Sequence, residues 1–176
     1  MGVVSTVRKL VPEGILPSPE TGDRNFVREA WDRLHRLPGG KVAFSKLVGR
    51  AAPYTGTIDA RVEALDVGRS EVVMRDKPGL RNHLRCVHAV ALLNLAELTG
   101  NVALAYSMPD DARFIVAGMS IEYLKKARGT ITGVCECPVV TTSERQEYQV
   151  PVSLRNASGE EVATATLRTL VGPKKK

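Results

Sequence analysis

Apolar residues lie on nearly every side of one long predicted helix in the middle of the chain. From His88 to Ala105 most residues are strong helix formers, with no proline and a single glycine. A helix that is apolar all round belongs inside a protein. Asn94, Glu97 and Asn101, spaced three and four residues apart, form a narrow polar strip along it. Glu97 is therefore either a candidate acid or base, or a hydrogen-bonded carboxylate that only fixes the position of the helix.

Six shorter stretches show the alternation of apolar and polar residues that predicts β-strands. They are residues 57–65, 70–75, 114–124, 130–137, 147–154 and 162–171. The residues predicted to share one face are Ile58, Ala60, Val62 and Ala64 in the first strand, Ile115, Ala117, Met119, Ile121 and Tyr123 in the third, and Ala163, Ala165 and Leu167 in the last. Residues 156–159 predict a hairpin turn between the last two strands. Two strands, a buried helix and four strands indicate an α+β fold, in which one antiparallel sheet wraps around one helix.

The chain before residue 53 is predicted to be an extension of this main unit. Residues 1–22 contain three prolines and indicate an irregular arm. Asp23 could cap a helix that runs to about Leu37, and a short second helix is expected over residues 42–48. Both helices are expected to pack over an edge or an end of the main unit. The predicted division is an arm with a helical extension at 1–52, a sheet-and-helix domain at 53–171 and a basic tail at 172–176.

Composition narrows the class of protein and of partner. A chain of 176 residues, 43% hydrophobic and 25% charged, is typical of one soluble globular domain. No apolar run reaches the length of a membrane span, and an odd number of cysteines indicates a reducing compartment, so a cytoplasmic protein without membrane insertion is expected. The spacing of Cys135 and Cys137 is too tight for a CxxC motif, and neither a metal site nor a cofactor is predicted.

The net charge favours an anionic partner. The chain carries +6 at pH 7 and has a pI near 9.4. Aromatic residues make up only 5% and form no stacking platform for bases, so nucleic acid is not the expected partner. A small ligand rich in phosphate would explain the positive charge as well as nucleic acid would.

The spacing of polar residues around the central helix resembles that of the hotdog-fold thioesterase superfamily. The residues that carry the resemblance are Asn82-His83, His88-Ala89, Asn94 and Glu97, followed at 119–129 by Met-Ser-Ile-Glu-Tyr-Leu-Lys-Lys-Ala-Arg-Gly. They are most similar to a little-characterised branch that is similar to phenylacetate-pathway acyl-CoA thioesterases. The resemblance covers about residues 53–170 and implies a hotdog domain over 53–171. It also implies an enzyme that hydrolyses an acyl-CoA thioester to a carboxylate and free coenzyme A.

The pattern of that superfamily assigns roles to particular residues. It has an asparagine in the loop, then His-Gly-Gly at the start of the helix, then an acidic residue nine positions after the histidine. Asn82, His88 and Glu97 match it, whereas Ala89 and Val90 replace the glycines and Arg85 occupies a loop position often held by glycine. The resemblance implies that the N–H near Ala89 holds the thioester oxygen and that Glu97 acts as general base or nucleophile. It also implies that Asn82 or His83 positions water or the carbonyl.

The remaining candidate residues have a functional and a structural interpretation. Lys125, Lys126 and Arg128 could bind the coenzyme A phosphates, or they could be a solvated strand end. His88 could be catalytic or could only hydrogen-bond at the helix start, and His83 could only pack in the loop. Asn94 is a candidate substrate-binding residue, although a polar packing partner is the simpler interpretation.

Two further functions, and the state of assembly, stay open at this point. In hotdog dehydratases and hydratases a loop histidine precedes the helix acid by fourteen residues, as His83 precedes Glu97, but the proline-flanked sequence around that histidine is absent. The missing glycines also fit a non-catalytic acyl-thioester binder. The resemblance implies a homodimer, or a homotetramer built as a dimer of dimers. In such a dimer the loop of one subunit lies against the helix of the other, and the active site is shared.

Overall fold

The structure is a computed structural model that describes residues 24–175. The helices are α1 Phe26–Leu34, α2 Gly40–Ala51 and α3 Ala89–Ser107, with 3-10 turns at Thr55–Ile58 and Pro78–Leu80. The strands are β1 Arg61–Asp66, β2 Arg69–Met74, β3 Ala112–Tyr123, β4 Ile131–Glu136, β5 Gln146–Arg155 and β6 Glu161–Pro173. The predicted order of two strands, one long helix and four strands is confirmed.

One antiparallel sheet of six strands, in the order β1-β2-β4-β5-β6-β3, packs against α3. Small residues let the helix approach the sheet closely. A side chain at Gly100 would lie 3.1 Å from Leu167 and Val150, and one at Gly133 of β4 would overlap the Thr99 hydroxyl. Helix α3 is long and apolar enough to cross a membrane, but most of it is buried inside the fold. It is the core helix that the sequence predicts.

The longest edge strand, β3, contains a bulge that corrects one prediction. The pairing of β3 with β6 shifts between Val116 and Gly118. Beyond the shift, Met119 pairs with Leu167 on the face toward α3, whereas before it Ile115 pairs with the exposed Leu170 on the outer face. The prediction that Ile115, Ala117, Met119, Ile121 and Tyr123 share one face is therefore wrong, because a bulge inserts one residue and reverses the alternation.

The first strand is also shorter than predicted. Residues 55–58 form a 3-10 turn, and Asp59 adopts a left-handed conformation with φ +47°. A second bulge, between Val62 and Ala64, exposes Ala64 and buries Leu65. The predicted face of Ile58, Ala60, Val62 and Ala64 is therefore wrong at Ala64.

The N-terminal helices pack on an end and an edge of the main unit, as predicted. Asn25 is the N-cap of α1, whereas the predicted cap, Asp23, lies outside the described residues. The Asn25 amide also donates to the carbonyls of Ala105 and Met108, at 2.7 and 3.1 Å, and Arg28 donates to that of Tyr106 at 3.0 Å. Together, α1 residues satisfy carbonyls at the C-terminal end of α3.

Helix α2 covers the free edge of β1. The Ser45 hydroxyl accepts a hydrogen bond from the Val62 N–H at 2.9 Å and donates one to the Lys41 carbonyl at 2.7 Å. Because an uncovered edge strand exposes unpaired N–H groups, α2 protects this side of the sheet. At the other edge of the sheet, no strand among residues 24–175 pairs with the outer side of β3.

The contact between β4 and α3 leads to a first prediction. We expect Gly133→Ala to lower the free energy of unfolding by about 1–3 kcal/mol, because the added methyl group overlaps the fully buried Thr99. Chemical denaturation measures the change. Gly79→Ala is the matched control, since no atom of the described residues lies within 4 Å of the position that a side chain would take there. Adding Thr99→Ala to Gly133→Ala should restore part of the lost free energy of unfolding. If it restores nothing, a contact other than that with Thr99 sets the distance between β4 and α3.

Candidate active site

The loop before α3 is fastened to the turn that follows β3. The Asp76 carboxylate accepts hydrogen bonds from Arg81 Nε at 2.7 Å and from the Gly129 N–H at 3.1 Å. The hydrogen bond from Arg81 is the main reason why the pKa of Asp76 lies below its usual range, so this carboxyl remains ionised. Farther along, the Val87 N–H donates to the Ala127 carbonyl at 2.9 Å. These contacts hold the two segments side by side.

Asn82 organises the tip of the loop through one oxygen atom. Its Oδ1 accepts from the Leu84 N–H at 2.9 Å, from the Cys86 N–H at 3.4 Å and from Cys86 Sγ at 3.3 Å. Because three donors surround Oδ1, the orientation of the amide group is fixed. The Nδ2 group has no hydrogen-bond acceptor within residues 24–175, so it is available to donate to a ligand.

Arg85 adopts the backbone conformation that the resemblance associates with glycine at this position. Its φ is +55°, in the left-handed region. A residue with a side chain costs on the order of 1 kcal/mol there. The loop thus keeps this shape although glycine is absent.

The start of α3 presents an unused hydrogen-bond donor. His88 is the N-cap, and its Nδ1 accepts from the Val90 N–H at 3.1 Å. This contact is the local hydrogen bond that the structural interpretation of His88 expects, and the catalytic role of His88 stays a prediction. The Ala89 N–H has no acceptor in the described part of the chain. An open N–H at the positive end of a helix dipole is suited to hold an oxygen that develops negative charge.

A cavity of about 350 Å³ opens at this helix start. Of the predicted site residues, Asn82, Ala89, Lys125 and Lys126 line it. The other predicted residues, His83, His88, Asn94, Glu97 and Arg128, do not line it. The structure therefore brings together the loop of Asn82, the start of α3 and two lysines, whereas Glu97 lies outside this cavity.

Sequence reasoning did not assign Cys86 and Tyr123, which also line the cavity. The Tyr123 hydroxyl donates to the Ala89 carbonyl at 3.0 Å, and burial raises the pKa of this phenol, so it remains a neutral donor. Tyr123 ends β3 on the face toward α3, a placement that depends on the bulge. In the sequence, the position of Tyr123 two residues before Lys125 could have indicated that it lies near the site.

Glu97 lies farther along α3, on a side that the sheet leaves open. It is half-buried and follows Ala89 by eight residues, about 12 Å along the helix axis. Asn94 beside it is buried, and its Nδ2 donates to the Tyr54 carbonyl at 3.2 Å. The buried Oδ1 atoms of Asn94 and Asn101 have no partner within the described range. Glu97 thus lies between two amide oxygens that receive no hydrogen bond from the described residues.

The three predicted phosphate-binding cations differ in their surroundings. Lys125 Nζ forms an ion pair with Glu160 of the β5–β6 hairpin. Lys126 and Arg128 are exposed, and neither forms an ion pair with a described residue. Lys126 is therefore the cation of the cavity lining with the greatest freedom to meet an anionic ligand.

Solved structures of other proteins share this architecture. The crystal structure named genomics APC5556 has a TM-score of 0.73 and 28% sequence identity, covering 84% of this chain and 99% of that one. PA5026 of Pseudomonas aeruginosa, described as a probable thioesterase, has a TM-score of 0.67 and 23% identity, covering 78% of this chain and 97% of that one. The protein smu.793 of Streptococcus mutans UA159, bound to acetyl CoA, has a TM-score of 0.55 and 21% identity, covering 65% of this chain and 90% of that one.

These likenesses show that the chain has the hotdog fold that the resemblance predicted. A comparison with curated proteins finds no match. The model of the family described as domain of unknown function DUF4442 matches residues 40–171, which is most of the chain. The chain therefore belongs to the DUF4442 family of hotdog-fold proteins.

Proposed function

We propose that the protein is an acyl-CoA thioesterase, which hydrolyses the thioester to a carboxylate and free coenzyme A. The observation that carries the proposal is the open N–H of Ala89 at the mouth of a cavity that Asn82 and Lys126 also line. The probable thioesterase PA5026 and the acetyl-CoA-bound smu.793 share the fold and support the choice of substrate class.

The proposed reaction uses each of these groups in turn. The thioester oxygen accepts a hydrogen bond from the Ala89 N–H, and the Asn82 amide donates to the same oxygen or to water. Glu97 removes a proton from a water molecule, whose oxygen attacks the thioester carbon. The carbon–sulfur bond then breaks, and the coenzyme A thiolate leaves and takes a proton. The N–H donor stabilises the charge that develops on the oxygen between these two steps.

A thioester held at Ala89 would lie beyond the reach of the Glu97 side chain of the same chain. The two residues are about 12 Å apart along the axis, more than a glutamate side chain spans. A second copy of the chain removes this difficulty. No described strand pairs with the outer edge of β3, and Met119 and Tyr123 on its inner face are 41% and 47% exposed, beside the open side of α3. We propose that two copies join there, so that Glu97 of one reaches the cavity of the other.

We propose that Lys125, Lys126 and Arg128 meet the phosphates of coenzyme A. Lys126 lines the cavity without an ion-pair partner in the described chain, and Arg128 lies two residues beyond it on an exposed turn. Lys125 would have to exchange Glu160 for the ligand. Phosphate oxygens at this place would be held by point charges from the lysines and by the planar fork of the arginine.

The role of Glu97 gives the second prediction. We expect Glu97→Gln to preserve folding and to lower hydrolysis by a hundredfold or more, roughly the contribution of a general base, because glutamine keeps the volume but cannot accept the proton. Release of free thiol from a panel of acyl-CoA esters measures it. Glu136→Gln, an exposed carboxylate of β4, is the matched control and should retain wild-type turnover. A folded Glu97→Gln protein with near-wild-type turnover would contradict the assignment.

The shared site gives the third prediction. Asn82→Asp keeps the Oδ1 acceptor that shapes the loop but removes the free donor, so we expect it to be inactive, like Glu97→Gln. When the two inactive proteins exchange subunits at random, about half of the dimers are mixed, and each has one intact site of two. Activity should therefore recover to about a quarter of the wild-type value.

Native mass spectrometry shows whether the subunits exchange. Exchange without recovery would mean that the loop and Glu97 act within one chain. An active Asn82→Asp protein would remove Asn82 from the mechanism. In that case the mixture is repeated with a loop variant that is inactive.

A further inference from the structure

A second groove, larger than the cavity at the start of α3, lies between α2 and the first two strands. Its volume is about 870 Å³, within the range of small-molecule sites. Aliphatic side chains from four elements line it, and it reaches the core helix at the buried Leu98. These side chains are Val42, Val48, Val62, Val73 and Leu98.

The groove also has a pronounced excess of positive charge. Five cationic side chains line it, against the single carboxylate of Asp59. The cations are Lys46, Arg50, Arg61, Arg75 and Lys77. Both lysines pair with Asp59, and Arg61 pairs with Glu63. Arg50 and Arg75 are exposed and form no ion pair with any residue between 24 and 175.

The polar groups of the lining favour an alkyl ligand over a nucleotide. The Ser45 hydroxyl is already bonded to the Val62 N–H and the Lys41 carbonyl, and the Thr57 hydroxyl is bonded to the Tyr54 carbonyl. None of the described residues that line the groove is aromatic, so they offer a base no ring on which to stack. The lining therefore offers aliphatic contact along its length and unpaired guanidinium groups at its rim.

We propose that this groove binds a long-chain fatty carboxylate. The alkyl chain lies along Val42, Val48 and Val73, which retain accessible apolar surface, and the carboxylate meets the arginines at the rim. A guanidinium group binds a carboxylate through two parallel hydrogen bonds, which an alcohol cannot match. This site is separate from the cavity at the start of α3, and its occupation does not depend on the proposed hydrolysis.

The groove meets α3 one residue beyond Glu97. Leu98 projects from the helix about 100° around the axis from Glu97, so the ligand and the acid lie on different sides of the same turn. A bound fatty chain would pack against the helix that carries the proposed catalytic acid. Binding and hydrolysis can nevertheless be measured separately, because the arginines belong only to the groove.

The test is a fluorescence titration of the full chain with cis-parinaric acid, a polyene fatty acid whose emission rises in an apolar site. We expect saturable binding and displacement by palmitate. Hexadecanol, which has the same chain length but no charge, should displace the probe at least tenfold less well. The double variant Arg50→Ala/Arg75→Ala should raise Kd at least tenfold. It replaces two exposed side chains without ion-pair partners among the described residues, so it should fold.

Two controls locate the site. Arg36→Ala/Arg69→Ala removes two exposed arginines outside the groove, and Glu97→Gln alters the proposed catalytic acid; both should bind the probe as the wild type does. Wild-type affinity in the Arg50/Arg75 variant, or no binding to the wild type, would overturn the proposal. Displacement by adenosine 3′,5′-bisphosphate would overturn it too, since the groove would then be a nucleotide site. Loss of hydrolysis in any variant would not affect these outcomes.

Discussion

The burial of α3 is the constraint on which the rest of the structure depends. A helix with apolar side chains on nearly all sides is stable in water only when other elements cover it. The sheet covers most of it, and the fit is close enough that Gly133 and Gly100 stand where any side chain would touch Thr99, Val150 or Leu167. Close packing at these two glycines therefore constrains the position of the helix on the sheet. The backbone and side-chain groups of the helix are therefore held in defined positions.

The two ends of α3 differ in how their terminal backbone groups are hydrogen-bonded. The C-terminal end is satisfied by the N-terminal extension, whereas the N-terminal end keeps an open donor. At the C-terminal end, Asn25 and Arg28 of the N-terminal extension bond to the last carbonyls. At the N-terminal end, His88 satisfies one N–H, while that of Ala89 stays open toward a cavity. Unsatisfied donors at a helix start cost stability unless a ligand or water meets them. An open donor beside a fixed amide, that of Asn82, is the arrangement expected of a site that binds a carbonyl oxygen.

The sequence predicts the buried helix well and the edge of the site poorly. Helix α3 was expected at 88–105 and spans Ala89–Ser107, because its composition admits no other environment. The bulge near Ala117 could not be predicted, since alternation alone does not reveal one inserted residue. Because of this bulge, Tyr123 lies on the face of β3 that is turned toward the start of α3. The distance between Ala89 and Glu97 follows from helix geometry. Whether the proposed base acts within its own chain or in a second copy cannot be predicted from the sequence.

The most direct test of the account uses proline at the first position of α3. Ala89→Pro should keep the helix, because proline is favoured there and His88 is already extended at ψ 140°, but it removes the N–H donor. Free-thiol release from the best acyl-CoA substrate should fall about a hundred- to a thousandfold, as when one oxyanion donor is lost, with an unchanged circular dichroism spectrum. Ala89→Ser, which keeps the N–H, should retain most of the activity. Near-wild-type turnover by a folded Ala89→Pro protein would contradict the claim that this helix start holds the thioester oxygen.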